Sequence, residues 1–239
     1  MTNIADIHCH IIPYVDDGAL DKDISRELID AQQEQGVSAV CCTPHLRRGM
    51  FETPDEVIQE QFARLKARAA ETHPQLRFWL SREYHADSLL LQTLESRKIL
   101  PLGPDHLLLE MSNRASEEEM MEYIETVRHY GYRVLLAHPE RYEALQRDWR
   151  LARRLAEAGA KLQLNTSSIL GREGLGQKLL CRRLLKEQLV YCVASDAHDP
   201  EERPVELDRA AAYLTRRAGP LYTQQLLSRN PLAILEGTA

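Results

Sequence analysis

Seven short apolar runs alternate with longer amphipathic stretches, and nearly every run ends on a histidine or a carboxylate. This arrangement constrains the fold more than any single motif does. The runs at 4–8, 37–43, 77–83, 107–111, 133–137, 161–165 and 190–194 have strand length, and helix punctuation lies between them. The pattern predicts a helix over 22–35 that ends at Gly36, a residue suited to a left-handed cap. Thr53-Pro54-Asp55-Glu56 reads as the opening of the next helix, with Thr53 as its N-cap. Ser116 with Glu119 forms a capping-box signature ahead of a helix to Gly131, and 151–158 continues another up to Gly159. About seven βα units in this order, without internal repeats, argue for one parallel, barrel-like α/β domain over residues 1–239.

The polar residues can now be placed on that frame. His8 and His10 close the first run, and residues i and i+2 of a strand share a face, so two imidazoles should stand side by side. Thr43-Pro44-His45 closes the second run and Ser81-Arg82-Glu83 the third. Glu110, His138, Asp196 and His198 follow the fourth, fifth and seventh. The sixth ends in Asn165-Thr166-Ser167-Ser168, polar but poorer in ligand chemistry. In parallel α/β barrels the C-terminal strand ends form the active-site rim, so these side chains should converge there.

With Asp17 added, the set exceeds what one ion needs. Histidine and carboxylate without thiolate suit Mn²⁺, Fe²⁺ or Zn²⁺. Clustered ions serve phosphoester hydrolysis, stabilising attacking and leaving oxygens together. Arg141 and Arg203, each just past a ligand-bearing strand, offer the planar fork that matches phosphate.

Composition narrows the classes further. A net charge of −6 gives no global field for nucleic acid, and no apolar run approaches membrane-spanning length. Five cysteines, with Cys41 and Cys42 adjacent, favour a reducing, cytoplasmic setting without a disulfide framework.

Asp6-Ile7-His8-Cys9-His10 with Asp16-Asp17-Gly18, Thr43-Pro44-His45, Ala137-His138-Pro139-Glu140-Arg141-Tyr142 and Ala194-Ser195-Asp196-Ala197-His198 resemble the polymerase-and-histidinol-phosphatase (PHP) superfamily. Within it they are similar to the manganese-dependent tyrosine-protein phosphatases of bacterial capsule and exopolysaccharide operons, as is Arg48-Gly49-Met50-Phe51-Glu52-Thr53-Pro54. The resemblance runs from residue 4 to Asn230-Pro231. It implies a distorted (β/α)7 TIM-like barrel holding three divalent ions, manganese first, with iron or magnesium as alternatives. It implies His8, His10, Glu83 and Asp196 on one ion, and Glu83 bridging to a second held by Glu110 and His138. Asp17, His45 and His198 would take the third, and Arg141 and Arg203 the phosphate. The implied substrate is phosphotyrosine on a bacterial tyrosine autokinase that regulates polysaccharide export, attacked by a metal-activated hydroxide. Where the family usually has Gly-Ala-Glu, this chain has Ser81-Arg82-Glu83, and Arg82 should point away from the ligands.

Competing readings remain open at this point. Cys42 to Arg48 satisfies C-x5-R, the pattern of thiol-based tyrosine phosphatases, but Pro44 removes an N–H from any phosphate cradle and no glycine eases the turn. A small-molecule phosphomonoesterase of the histidinol-phosphatase type would use the same ligands. Tyr14 and Phe51 lie near the rim and could meet an aromatic substrate ring or simply pack. Asp6 reads as a support for the ligands or a solvated residue, and Asp16 as a turn former as much as a ligand. His73, His85, His106 and His129 read as surface positions.

Overall fold

The computed structural model describes residues 3–238. Its strands are β1 (Ile4–Cys9), β2 (Val37–Cys42), β3 (His45–Leu46), β4 (Arg77–Leu80), β5 (Glu83–His85), β6 (His106–Glu110), β7 (Arg133–Leu136), β8 (Ala160–Asn165) and β9 (Val190–Ala194). They form two sheets, β1-β2-β4 and β3-β5-β6-β7-β8-β9, in which every strand pairing is parallel. Helices run between most consecutive strands, which is the crossover a parallel pair requires.

The run 37–43 is β2, after which the chain enters an unexpected short strand, β3, in the other sheet. The run 77–83 is divided, being β4 followed by the first residue of β5, again in the other sheet. Pro44 lies at the first break and has no N–H for a ladder, though its carbonyl accepts from Glu83 N at 3.1 Å. At the second, Ser81 N still bonds Cys42 O at 2.9 Å before the chain passes to β5. The sheets meet again at the far edge, where Asp196 N donates to His8 O and His10 N to Ala197 O, at 2.9 and 2.8 Å.

Both faces of the strands are apolar, as sheets covered on two sides demand. Val40, Leu107, Leu109, Val134, Leu136, Leu162 and Leu164 face the larger cluster beneath the helices. Ala5, Ile7, Ala39, Cys41, Leu108, Leu135 and Cys192 form a smaller one, joined by Ile234 and Leu235 of the helix Asn230–Glu236.

Helix punctuation follows local chemistry. Asp21 caps Lys22–Glu34 by accepting from Asp23 N and Ile24 N, and Gly36 takes φ 81° beyond it. Ser116 and Glu119 close the reciprocal capping box on Glu117–His129. Thr53 does not cap Asp55–Thr72. Pro54 holds the cap position without a side-chain bond, and Thr53 Oγ1 donates instead to Val15 O at 2.7 Å.

Candidate metal centre

The register of β1 is irregular between Asp6 and Cys9, so alternation alone does not place its histidines. His8, within the irregular stretch, and His10, just past it, stand with their Nε2 atoms 3.2 Å apart. Each is oriented from behind. His8 Nδ1 donates to Gln163 Oε1 at 2.9 Å, and His10 Nδ1 to Asp16 Oδ2 at 2.7 Å. Such bonds fix the tautomer that leaves Nε2 free to ligate. The same Asp16 oxygen accepts from His45 N at 3.0 Å, and Asp16 Oδ1 from Gly18 N at 3.0 Å. Asp16 is therefore both a turn former and a support for two imidazoles.

Opposite them, Glu83 opens β5 and Asp196 follows β9. Glu83 Oε2 lies 3.1 Å from His8 Nε2, 3.2 Å from His10 Nε2 and 3.1 Å from His45 Nδ1. Asp196 Oδ1 lies 3.3 Å from His8 Nε2 and 3.5 Å from His10 Nε2. Glu83 Oε1 reaches His138 Nε2 at 2.8 Å, and Glu110 Oε1 stands 3.9 Å from that nitrogen. Asp17 Oδ1 is 3.4 Å from His45 Nε2 and 3.6 Å from His198 Nε2. The geometry thus gathers three overlapping groups: His8, His10, Glu83 and Asp196; His10, Asp17, His45 and His198; and His45, Glu83 and Glu110. His138 approaches the third through Glu83 and Glu110. All nine ligand candidates named from the sequence stand in one place.

The donor set fits divalent cations. Donors around a first-row ion at about 2.1 Å sit roughly 3.0–3.4 Å from one another, the spacing seen here. Glu83 Oε2, Asp196 Oδ1, His45 Nδ1 and His198 Nε2 are buried yet accept or donate no hydrogen bond. An unsatisfied buried polar atom costs about 1–3 kcal/mol, and four together mark a place for a charged guest. The electrostatics agree. Burial opposes charge on His10, but the Asp16 carboxylate outweighs it and pushes the imidazole up to about 10. Glu83 and Asp196 lie well below the carboxylate range despite burial, chiefly because His8 faces both. His198, buried beside His10, is pushed down to about 4, and His45 is also lowered by burial. Neutral His45 and His198 beside ionised Glu83 and Asp196 are in the protonation states that ligation requires. His8 and His10, whose imidazoles are raised by the facing carboxylates, would instead give up a proton on binding a cation.

The two arginines lie at the edge of this cluster. Arg141 Nη1 and Arg203 Nη2 meet on Asp196 Oδ2, at 3.1 and 3.0 Å. Glu173 holds the remaining face of Arg141 with two bonds of 2.8 and 2.7 Å and accepts from Ser167 Oγ at 2.6 Å. Asn165 Nδ2 donates to the same Asp196 Oδ2 at 2.7 Å, and Gln163 Nε2 donates to Asn165 Oδ1 at 2.8 Å. An amide chain therefore links His8 to Asp196. The polar end of the sixth run supplies it, and sequence reasoning missed it because amides are not ligand types.

Other positions need correction. Asp6 is not solvated: it is fully buried, bonding Ser195 N at 2.9 Å and Gln32 Nε2 at 2.5 Å. His85 is buried, and its Nδ1 donates to Glu110 Oε2 at 2.9 Å, so it orients a candidate ligand. His106 and His73 are buried as well, beside Lys161 Nζ at 3.0 Å and Asp30 Oδ1 at 2.9 Å; His129 is exposed as expected. Arg82 does point away, donating to His45 O at 2.7 Å, Thr53 O at 3.0 Å and Asp55 Oδ1 at 2.6 Å. All five cysteines are free and buried, Cys42 of the C-x5-R run among them, without the exposed setting that a thiolate nucleophile needs.

A family model described as capsular polysaccharide synthesis, CpsB/CapC, matches residues 4–236. The tyrosine-protein phosphatase CpsB of Streptococcus pneumoniae is 30% identical over 236 residues, covering 96% of this chain and 97% of its own. The tyrosine-protein phosphatase YwqE of Bacillus subtilis is 29% identical over 215 residues, with 90% and 85% covered. A crystal structure from a study of YwqE from B. subtilis and CpsB from S. pneumoniae, described as unique metal-dependent tyrosine phosphatases, superposes with a TM-score of 0.91. Its identity is 28%, and the match covers 99% of this chain and 96% of that one. A histidinol phosphate phosphatase from Lactococcus lactis superposes at 0.57 with 17% identity over 92% and 95%, a likeness of fold alone.

Proposed function

The chain belongs to the CpsB/CapC family, and on that premise we propose that the gathered side chains are the catalytic centre of a trinuclear phosphotyrosine hydrolase. It is a metal-dependent tyrosine phosphatase by its likeness to enzymes so named over nearly the whole chain. Our reading assigns His8, His10, Glu83 and Asp196 to one ion, Glu83, Glu110 and His138 to a second, and Asp17, His45 and His198 to a third. Manganese suits these nitrogen and oxygen donors. The barrel reading is of one unit, a distorted (β/α)7 barrel. When bound, the ions supply charge neutralisation and a nucleophile usable at neutral pH.

The chain's own residues do the rest. Asp196 carries the reading: Oδ1 turns into the donor cluster while Oδ2 gathers Arg141 and Arg203. Two guanidinium groups that meet on one oxygen can also share the outer oxygens of one phosphoryl group. Glu173 keeps the Arg141 fork from swinging toward solvent and leaves N–H groups on Nη1 and Nη2 for that purpose. Charge growing on the phosphoryl oxygens then meets fixed cations. The phenolate leaves readily, its parent acid having a pKa of about 10, so no strong general acid is required. Free, buried cysteines support a reducing, cytoplasmic compartment, and no helix among the described residues is long and apolar enough to cross a membrane. The substrate we favour is a phosphorylated bacterial tyrosine autokinase that controls capsule or exopolysaccharide synthesis.

The test is hydrolysis of a phosphotyrosine peptide by chelator-treated protein, before and after Mn²⁺ is restored, beside a Cys41→Ser/Cys42→Ser variant. Activity that returns with Mn²⁺ and tolerates both serines is the expected result. Activity that ignores chelation and disappears with the serines would overturn it. Turnover of small alkyl phosphates alone would move the substrate to a metabolite.

A further inference from the structure

Seven large apolar side chains stand exposed among the described residues, and three of them share one cavity: Tyr14 at 57%, Leu20 at 73% and Met50 at 60%. That cavity, of about 430 Å³, is completed by Phe51, Val15, Asp16 and Thr53. Apolar surface gathered beside a polar site marks contact with a ligand or a partner.

Two of the lining residues join the cavity directly to the metal centre. The Phe51 ring stacks on the His45 ring at 15° and 5.1 Å between centroids. Asp16 faces the cavity and also bonds His10 Nδ1 and His45 N. The surface is built rather than loose. Arg47 and Phe51 exchange two backbone bonds of 2.9 Å each, Tyr14 N donates to Ala19 O, and Thr53 Oγ1 ties the second loop to Val15 O. Beside Asp196, by contrast, Arg141 is ion-paired to Glu173 and presents charge.

We infer, on the basis of the phosphatase reading above, that this shelf is the aryl-peptide subsite. Phe51 takes the phenyl ring of the phosphotyrosine, and Tyr14, Leu20 and Met50 take an apolar residue next to it in the peptide. An aryl ester keeps its ring one oxygen away from phosphorus. The ring must therefore lie beside the ligand cluster, where Phe51 stacks on His45. A second aromatic against a first adds a geometric preference that an alkyl ester cannot use. The exposed methionine and leucine adapt to varied neighbours.

Steady-state kinetics of the Mn²⁺-loaded full chain test this. The substrates are two phosphotyrosine peptides that differ only in leucine or glycine beside the phosphotyrosine, with p-nitrophenyl phosphate as the small aryl ester. Wild type should favour the leucine peptide by about tenfold in kcat/KM, the effect of covering much of one aliphatic side chain. Leu20→Ser/Met50→Ser should bring that ratio close to one, through KM. Both positions are exposed, so the fold should survive, and a thermal melt checks it. Phe51→Ala should raise KM for both peptides and for p-nitrophenyl phosphate together. Wild type that treats the peptides alike, or a double variant that keeps the preference, would overturn the inference and leave the phosphatase reading standing. A wild type inactive on both peptides would end both.

Discussion

Asp196 concentrates several demands on one residue. It sits at φ 53°, a left-handed backbone that asparagine and aspartate tolerate better than other side chains, and its two oxygens face different neighbours. Asp196→Asn should therefore keep the backbone and the Asn165 contact while removing the charge on the ligand side. We expect turnover to fall by more than about 100-fold with an unchanged far-UV spectrum, whereas Asn165→Ala, which removes only a supporting amide, should cost about 10–100-fold. Equal losses in both variants would remove Asp196 from the ligand set. The residue types at Asp196, His8 or Glu83 announce metal chemistry in the sequence. Gln163, Asp16 and Glu173 do not, because their roles depend on partners up to 155 residues away that the fold alone brings near.

At the scale of elements, alternation of apolar runs revealed the parallel strands, but not that the run 77–83 divides between sheets or that a short strand follows Pro44 in the second sheet. Nothing in Cys42-Thr43-Pro44-His45 tells a strand that ends from one that bends, since Pro44 forbids only its own N–H bond. The division matters because it brings His45 and Glu83 into direct register, paired across β3 and β5. Arg82 secures that pairing from behind. Its buried guanidinium spans His45 O, Thr53 O and Asp55, and so fastens the loop that leads into Asp55–Thr72. Arg82→Met would leave two carbonyls and one carboxylate without their donor. A destabilisation of about 3–5 kcal/mol is expected, read as a lower urea midpoint at constant slope, with looser metal binding through His45. A variant with an unchanged midpoint would show that the arginine only fills space.

At the scale of the whole molecule, the ligand candidates come from chain segments running from His8 to His198, and the polar centre lies where the two sheets meet. Without a cation, that region holds orphaned donors and acceptors between otherwise apolar layers. Ions bound there stabilise the fold as well as supply chemistry, because they bind the assembled ligands and not the unfolded chain. A free-ion concentration about 100-fold above Kd adds about 2.7 kcal/mol. For a chain of this length each kcal/mol moves the melting midpoint by about 2–4 °C, so chelation should lower it by on the order of 5–10 °C, and Mn²⁺ should restore it. Asp196→Asn should shrink that shift, since it weakens one of the groups the ions join. Arg203→Ala should leave most of the shift in place, since in our assignment the arginine faces phosphate rather than metal. A melting midpoint indifferent to chelation in the wild type would mean that the sheets hold together without ions, and that the orphaned atoms are satisfied by water alone.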